Sequence, residues 1–172
     1  MLSVDALRES MGARAGGKVF VWSVAHARGD DAEAAVEDLL QASPPPLEVT
    51  SDTELEELEA VDTETVRRLL THTLQFDLAS HARVLDADQA ARLAGNVIEA
   101  LSGPVQWWTN GTLGLPGPRS TWTPLTPASF DTGVIGVSQE RVLVVWFIDE
   151  DEDDDGDEEE VQSRSSSRSH RP

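Results

Sequence analysis

The residues best suited to chemistry lie in the segment HARGDD, residues 26–31, which contains one histidine and two aspartates. The segment follows an apolar run and precedes a helical pattern, and open-sheet proteins place ligand-binding groups at such positions. His26 could act as a general base oriented by the carboxylate of Asp30 or Asp31. The alternative is that an aspartate caps the helix and His26 is the first exposed residue after a strand. We favour the capping interpretation.

Asp131 is a second carboxylate of interest, because Phe130-Asp131-Thr132-Gly133 directly precedes a β-rich run. It could be a functional group at a strand start, and a small enzyme centred on His26 and Asp131 is one hypothesis. A role in a turn or bulge with Gly133 is the alternative. The sequence contains no phosphate-binding glycine loop, no GxSxG motif and no HExxH motif. We therefore expect that the protein is not an enzyme.

The sequence offers few side chains that could bind a metal ion or a cofactor. The chain has no cysteine, which excludes thiolate ligands and disulfides. His72 and His81 are nine residues apart and would lie on opposite sides of a continuous helix. The acidic segment 149–160 lacks the spaced ligands and flanking helices of an EF-hand. We predict no bound metal and no cofactor.

Tryptophan side chains are candidates for binding a partner. Trp107, Trp108 and Trp122 lie in a segment rich in proline and glycine. Successive side chains of a strand point to opposite faces, so Trp107 and Trp108 cannot both face one core. Either one of them is exposed as an interface anchor, or the segment PGPRSTWTPLTP folds back over it. We take Trp107, Trp108, Trp122 and Asp131 as candidate partner-binding residues.

The net charge of −19, from 32 acidic and 13 basic residues, predicts the type of partner. A surface of this sign repels nucleic-acid phosphates and attracts cationic proteins. We therefore expect a basic protein as partner and no direct binding of nucleic acid. Adaptation to a high-salt cytoplasm is an alternative origin of the charge.

The elements that would position these residues predict an α+β domain. KVFVWSVAHA, residues 18–27, predicts a largely buried strand, and a helix should follow from Asp30 or Asp31. A further helix is predicted from Thr63, although alternation of Leu74, Phe76 and Leu78 leaves a strand open there. Asp86 is a clear cap for the next helix, which Gly103 and Pro104 end.

The last third of the domain is predicted to be mainly an antiparallel meander. Residues 132–137 and 141–148 are two β-rich runs joined by SQE, which is the sequence form of a hairpin. The grouping of helices before strands is typical of α+β domains.

An acidic tail follows the meander directly. Residues 149–160 contain eleven acidic side chains, and SRSSSRSHRP comes soon after. Such segments cannot bury enough apolar surface to offset chain entropy. We predict one globular domain at 1–148 and a disordered tail at 149–172. No secretory signal and no bilayer-length apolar run is present, so we expect a cytoplasmic protein without membrane contact.

These observations predict a non-enzymatic, acidic protein-binding domain. Its most concrete form is an immunity-type inhibitor that occupies the substrate-binding surface of a basic enzyme, such as a nuclease toxin. The alternative is a viral or phage accessory factor that sequesters a basic nucleic-acid-binding protein. In both cases the tail would accelerate association, and the folded domain would provide recognition. The alternative is that the tail only solubilises the protein and has no dedicated partner.

Overall fold

The computed structural model describes residues 4–11, 18–25, 31–42, 58–112 and 122–149. These ranges form an α+β domain, as the sequence predicts, in which helices pack against a five-stranded antiparallel sheet of order β1-β5-β4-β3-β2. The elements in chain order are α1 (Val4–Met11), β1 (Lys18–Ala25), α2 (Ala32–Ala42), β2 (Glu59–Val61), α3 (Thr63–Gln75), α4 (Ala87–Glu99), β3 (Gln106–Thr109), β4 (Phe130–Val137) and β5 (Arg141–Asp149).

The hairpin of β4 and β5 forms the middle of the sheet and confirms the predicted C-terminal meander. Its register runs from Phe130 opposite Asp149 to Val137 opposite Val142. In the SQE link, the backbone N–H of Ser138 donates to the carbonyl of Arg141 at 2.9 Å. Every residue of β5 after Arg141 is buried. Both faces of this hairpin are therefore covered, which explains why its sequence is apolar throughout rather than alternating.

The sheet separates two hydrophobic clusters. One face, here called the three-helix face, packs against α1, α3 and α4, and its cluster includes Leu7, Leu70, Leu93, Trp107, Val145 and Phe147. The other, the α2 face, packs against α2, and its cluster includes Val36, Leu39, Leu58, Trp108, Leu125, Ile135 and Trp146. Neighbouring residues of β3, such as Trp107 and Trp108, thus each enter a core.

Two glycines of β4 make room for one indole on each face. A Cβ on Gly133 would lie 2.3 Å from Cε3 of Trp146, on the α2 face. A Cβ on Gly136 would lie 2.4 Å from Cζ3 of Trp107, on the three-helix face. Each pair is directly opposite in the sheet register. The glycines are therefore required for close packing against tryptophan.

Aspartates begin three of the helices. The carboxylate of Asp62 accepts from the backbone N–H of Thr65 at 2.7 Å, and that of Asp86 accepts from Gln89 at 2.8 Å. Asp31 accepts from the backbone N–H of Glu33 at 3.2 Å at the start of α2. The predicted caps at Asp86 and Asp31 are confirmed, whereas α3 is capped by Asp62, one residue before the predicted Thr63.

The segment after Thr63 forms the predicted helix up to Gln75, so the alternative strand through Leu74, Phe76 and Leu78 is wrong. Phe76 is extended and pairs with Arg83 in an isolated bridge. Leu74 and Leu78 are both buried in the cluster on the three-helix face, although only Leu74 is helical. The two competing periodicities thus arose from a helix end followed by a short extended segment.

The prediction of a largely buried first strand is wrong. β1 ends at Ala25 and lies at the edge of the sheet, and of its residues only Val21 is buried. Phe20 and Trp22 are partly buried, and Val24 is 42% exposed. Apolar residues on both faces predict burial, but β1 is a terminal strand, with a neighbouring strand on one side only in the described part of the chain.

Asp149, the first residue of the acidic segment, belongs to the sheet. Its side chain is buried, and its carboxylate accepts from the backbone N–H of Leu78 at 2.6 Å. The ordered strand therefore continues one residue past the predicted boundary at 148. Residues 150–172, predicted to be disordered, lie outside the described residues. None of the helices in the described ranges is both long and apolar enough to cross a membrane.

Candidate protein-binding surface and a buried carboxylate cluster

Asp131 lies at the centre of a hydrogen-bonded cluster on the α2 face. It has no exposed surface. Its Oδ2 accepts from the backbone N–H of Leu125 at 2.8 Å and from Nε1 of Trp146 at 3.3 Å. Its Oδ1 accepts from Nε1 of Trp122 at 3.0 Å and from Nδ2 of Asn110 at 3.3 Å. Four N–H donors from four parts of the chain therefore converge on one carboxylate.

The electrostatics of Asp131 reflect a balance between burial and these hydrogen bonds. Burial raises the pKa of the carboxyl, while the hydrogen bonds from Leu125, Trp146 and Trp122 act in the opposite direction. No basic side chain of the described residues forms an ion pair with it. The negative charge is therefore accommodated by neutral donors, an arrangement that depends on every donor being in place.

The cluster fastens the connection between β3 and β4. Asn110 donates through Nδ2 to the carbonyl of Thr123 at 2.9 Å, and its Oδ1 accepts from the backbone N–H of Gly133 at 3.3 Å. The indole of Trp122 also donates to the backbone carbonyl of Asp131. Asn110 is thus buried and ties both ends of the connection together. We conclude that this cluster is structural.

The tryptophans predicted as interface anchors are covered by the chain itself. Trp107 is 3% exposed and Trp108 is 4% exposed, so the interpretation that one of them projects from the fold is wrong. Leu125, from the segment PGPRSTWTPLTP, shares a cluster with Trp108, which agrees with the alternative that this segment folds back. Trp122 is partly buried and stacks with Phe130, with ring centroids 6.4 Å apart.

The four candidate residues thus come together only in part. Trp108, Trp122 and Asp131 belong to the α2 face and its adjoining loop, whereas Trp107 faces the opposite core. Their partner-binding role stays a prediction. Trp107 and Trp108 are almost fully buried and Asp131 has no exposed surface, so direct contact with a partner would require the covering elements to move.

A strip with two partly exposed aromatic side chains lies elsewhere, on β1. Phe20, Trp22 and Val24 alternate along the edge strand, so their side chains share the α2 face. Phe20 and Trp22 pack against the α2-face cluster and keep part of their surface exposed, and Val24 is 42% exposed. The alternation is visible in KVFVWSVA, but it cannot reveal that this strand lies at the edge of the sheet.

Helix α2, which packs on the same face, carries acidic side chains and no basic ones. Asp31, Glu33, Glu37 and Asp38 are all exposed, and residues 31–42 contain no basic side chain. Each of the other three described helices carries arginine; for example, Arg67 lies 3.7 Å from Glu64 in α3. We call the strip Phe20, Trp22 and Val24, together with these four acids of α2, the acidic α2 surface.

The described residues give little indication of a catalytic histidine or of a metal-binding site. His26 and Asp30 lie outside the described residues, and Asp31 is used as a helix cap. His72 belongs to α3 and packs on Phe76, where burial lowers its pKa, whereas His81 follows the helix with a φ of 55°. Within the described ranges, no three His, Asp or Glu side chains are placed to hold a metal ion.

A groove between α1 and α4 has a volume of about 540 Å³. Its lining includes Ser10, Gln89, Arg92 and Asn96, which are polar side chains typical of a solvated surface. Its titratable lining side chains, Arg92 and Glu99, are exposed, so the groove gives no indication of acid–base catalysis.

Comparison of the chain with protein-family models, with curated protein sequences and with solved structures found no match.

Proposed function

We propose that this chain is a non-enzymatic, acidic protein-binding domain whose partner is a basic protein. The observation that carries the proposal is the acidic α2 surface, in which a partly exposed aromatic strip occurs on the same sheet face as a helix with only acidic charge. Aromatic side chains are the usual anchors of protein interfaces, and charges at the rim guide a partner of opposite sign.

The charge of the whole chain supports the same type of partner. A net charge of −19 produces a long-range field that accelerates encounter with a cationic protein at low ionic strength. The acidic α2 surface then supplies fixed geometry, which a run of acids without folded structure would lack. Recognition by the folded domain and acceleration by the acidic segment are therefore separate contributions.

The most specific form of the proposal is an immunity-type inhibitor of a basic enzyme, such as a nuclease toxin. An enzyme that binds nucleic acid presents a basic surface to phosphates, and an acidic protein can occupy that surface in their place. The alternative is a viral or phage accessory factor that sequesters a basic nucleic-acid-binding protein. Both forms place the protein in the cytoplasm with its partner.

The burial of Asp131 weighs against the hypothesis of a small enzyme centred on His26 and Asp131. Asp131 has no exposed surface, and its two carboxylate oxygens are already bonded to the fold. A substrate would have no route to this carboxylate while the cluster is closed.

The proposal is tested by binding of variants to a basic partner captured from cells that make the protein. The α2 variant carries Glu33→Gln, Glu37→Gln and Asp38→Asn. The matched control removes three exposed acids elsewhere, with Glu9→Gln, Glu59→Gln and Asp88→Asn. Both variants lose the same charge, so long-range steering changes equally.

The α2 variant should bind at least about tenfold more weakly than the control, because it loses charges at the interface itself, and close charge pairs contribute about 1.5 kcal/mol or more. Equal affinity of the two variants would contradict the proposed surface. Capture of no basic protein would contradict the proposed partner.

A further inference from the structure

One arginine occupies the outer edge of β1. In the described part of the chain β1 pairs with β5 alone, so one side of the strand faces outward. In an antiparallel strand the N–H and C=O of one residue point to the same side, and successive residues alternate. The carbonyl of Val21 accepts from a side chain rather than from β5, so Val19, Val21, Ser23 and Ala25 direct their backbone groups outward.

Arg8 of α1 occupies the middle of this edge. Its Nε and Nη2 both donate to the carbonyl of Val21, at 3.2 and 2.9 Å. Its Nη1 donates to the carboxylate of Asp5 at 2.9 Å. The guanidinium is therefore held in a fixed position between the helix and the strand. No other outward backbone group of β1 has a hydrogen-bond partner among the described residues.

An open edge with these properties favours pairing with another strand. Residues 18–22, KVFVW, contain neither proline nor glycine and have high β propensity. Such an edge is a template for association, and natural proteins place charged side chains where they block it. The acidic charge of the chain also keeps copies apart, but salt screens this repulsion, since the Debye length falls from about 10 Å at 0.1 M to about 3 Å at 1 M.

We propose that Arg8 blocks strand addition at the outer edge of β1 and so prevents pairing of β1 with β1 of a second copy. An incoming strand needs the carbonyl of Val21 as an acceptor for its own backbone N–H, and the guanidinium already holds that carbonyl. In an antiparallel, two-fold pairing centred on Val21, two copies would also bring their Arg8 side chains together, and like charges directly opposite destabilise strand pairs. This block acts at short range and is retained in high salt.

The test is sedimentation velocity of the full chain and its variants from about 10 to about 300 μM, the range in which exposed edges drive association. Each is measured at about 0.1 M and about 1 M salt. Arg8→Ala removes the guanidinium, and Arg8→Met removes it while keeping an apolar stem against the strand. Arg83→Ala is the matched control, because it removes the same charge from an exposed position away from β1.

We expect Arg8→Ala and Arg8→Met to self-associate at the higher salt, while wild type and Arg83→Ala stay monomeric. Hydrogen exchange should then show at least about tenfold protection of the outward amides of Val19, Ser23 and Ala25 in the associated variants. Monomeric behaviour of Arg8→Met with an unchanged unfolding transition would overturn the proposal. Association of wild type through these amides, or association of the variants without their protection, would overturn it equally.

Discussion

Replacement of Asp131 removes the acceptor shared by four donors, so its effect on stability can be worked out from the hydrogen bonds. In Asp131→Ala, Trp122 and Asn110 keep the backbone carbonyl of residue 131 as an acceptor. The backbone N–H of Leu125 and Nε1 of Trp146 have no such second acceptor among the described residues. Two buried donors are therefore left without a partner.

Each buried donor that loses its partner costs about 1–3 kcal/mol. With two such donors, Asp131→Ala should lower the free energy of unfolding by about 2–6 kcal/mol, a large part of the roughly 5–15 kcal/mol typical of a domain. Asp131→Asn keeps one oxygen, which can serve Leu125 and Trp146, but its NH₂ group then faces Trp122 and Asn110. We expect an intermediate loss of about 1–3 kcal/mol for this variant.

The assay is chemical unfolding of both variants and of a matched control, Thr132→Val. Thr132 is the adjacent residue and is equally buried, but its hydroxyl has no hydrogen-bond partner in the structure. Removal of this hydroxyl should leave the unfolding free energy unchanged within about 0.5 kcal/mol or raise it. A loss of stability in Asp131→Ala no larger than that in Thr132→Val, or an Asp131→Asn variant as stable as wild type, would contradict a stabilising role of this carboxylate.

Three further predictions test other parts of the account. Gly136→Ala should lower the free energy of unfolding by about 1–3 kcal/mol, because its Cβ would overlap Trp107. Gly95→Ala in α4 should raise it by up to about 1 kcal/mol, because the atom nearest to the added Cβ is 3.9 Å away. Thermal unfolding measures both effects. A chain ending at Asp149 should unfold cooperatively. A chain ending at Ile148 should be about 1–2 kcal/mol less stable, because the backbone N–H of Leu78 loses its acceptor. Equal stability of the two chains would show that Asp149 does not contribute to the fold. Burial raises the pKa of Asp131 above 3.8, so the folded state binds this proton more tightly than the unfolded state. The stability advantage of wild type over Asp131→Asn should therefore decrease as pH rises from 3.8 through the raised pKa, and denaturant titrations at several pH values would show the opposite trend if the pKa were lowered.

Local signals in the sequence were sufficient for α4 and for the β4–β5 hairpin. Asp86 caps a helix with its own side chain, and Gly103, with a φ of 77°, follows the end of that helix. The SQE link joins two strands that are neighbours in sequence and in the sheet. These features depend on contacts between residues close along the chain, which composition and spacing can reveal.

Features that depend on distant contacts could not be predicted. The exposure of Trp22 follows from the position of β1 at the edge, and that position is set by pairing with β5 more than 100 residues later. Trp107 and Trp108 are both buried because the sheet is covered on each face. The sequence predicts that Asp131 is either a turn residue or a functional carboxylate. Its hydrogen bond with Asn110, 21 residues away, depends on the tertiary fold and has no local sequence signal. Asp149 belonged by composition to the tail, but the strand register includes it.

Hydrogen exchange of the chain, free and bound to its captured basic partner, would show which surface the partner covers. If the acidic α2 surface is the binding surface, amides of α2 and of residues 20–24 should become protected in the complex, while those of α3 and α4 exchange as in the free protein. Addition of salt should weaken the complex and reduce this protection, because part of the attraction is screened. Protection of α3 and α4 with no change in α2 and β1 would contradict the account.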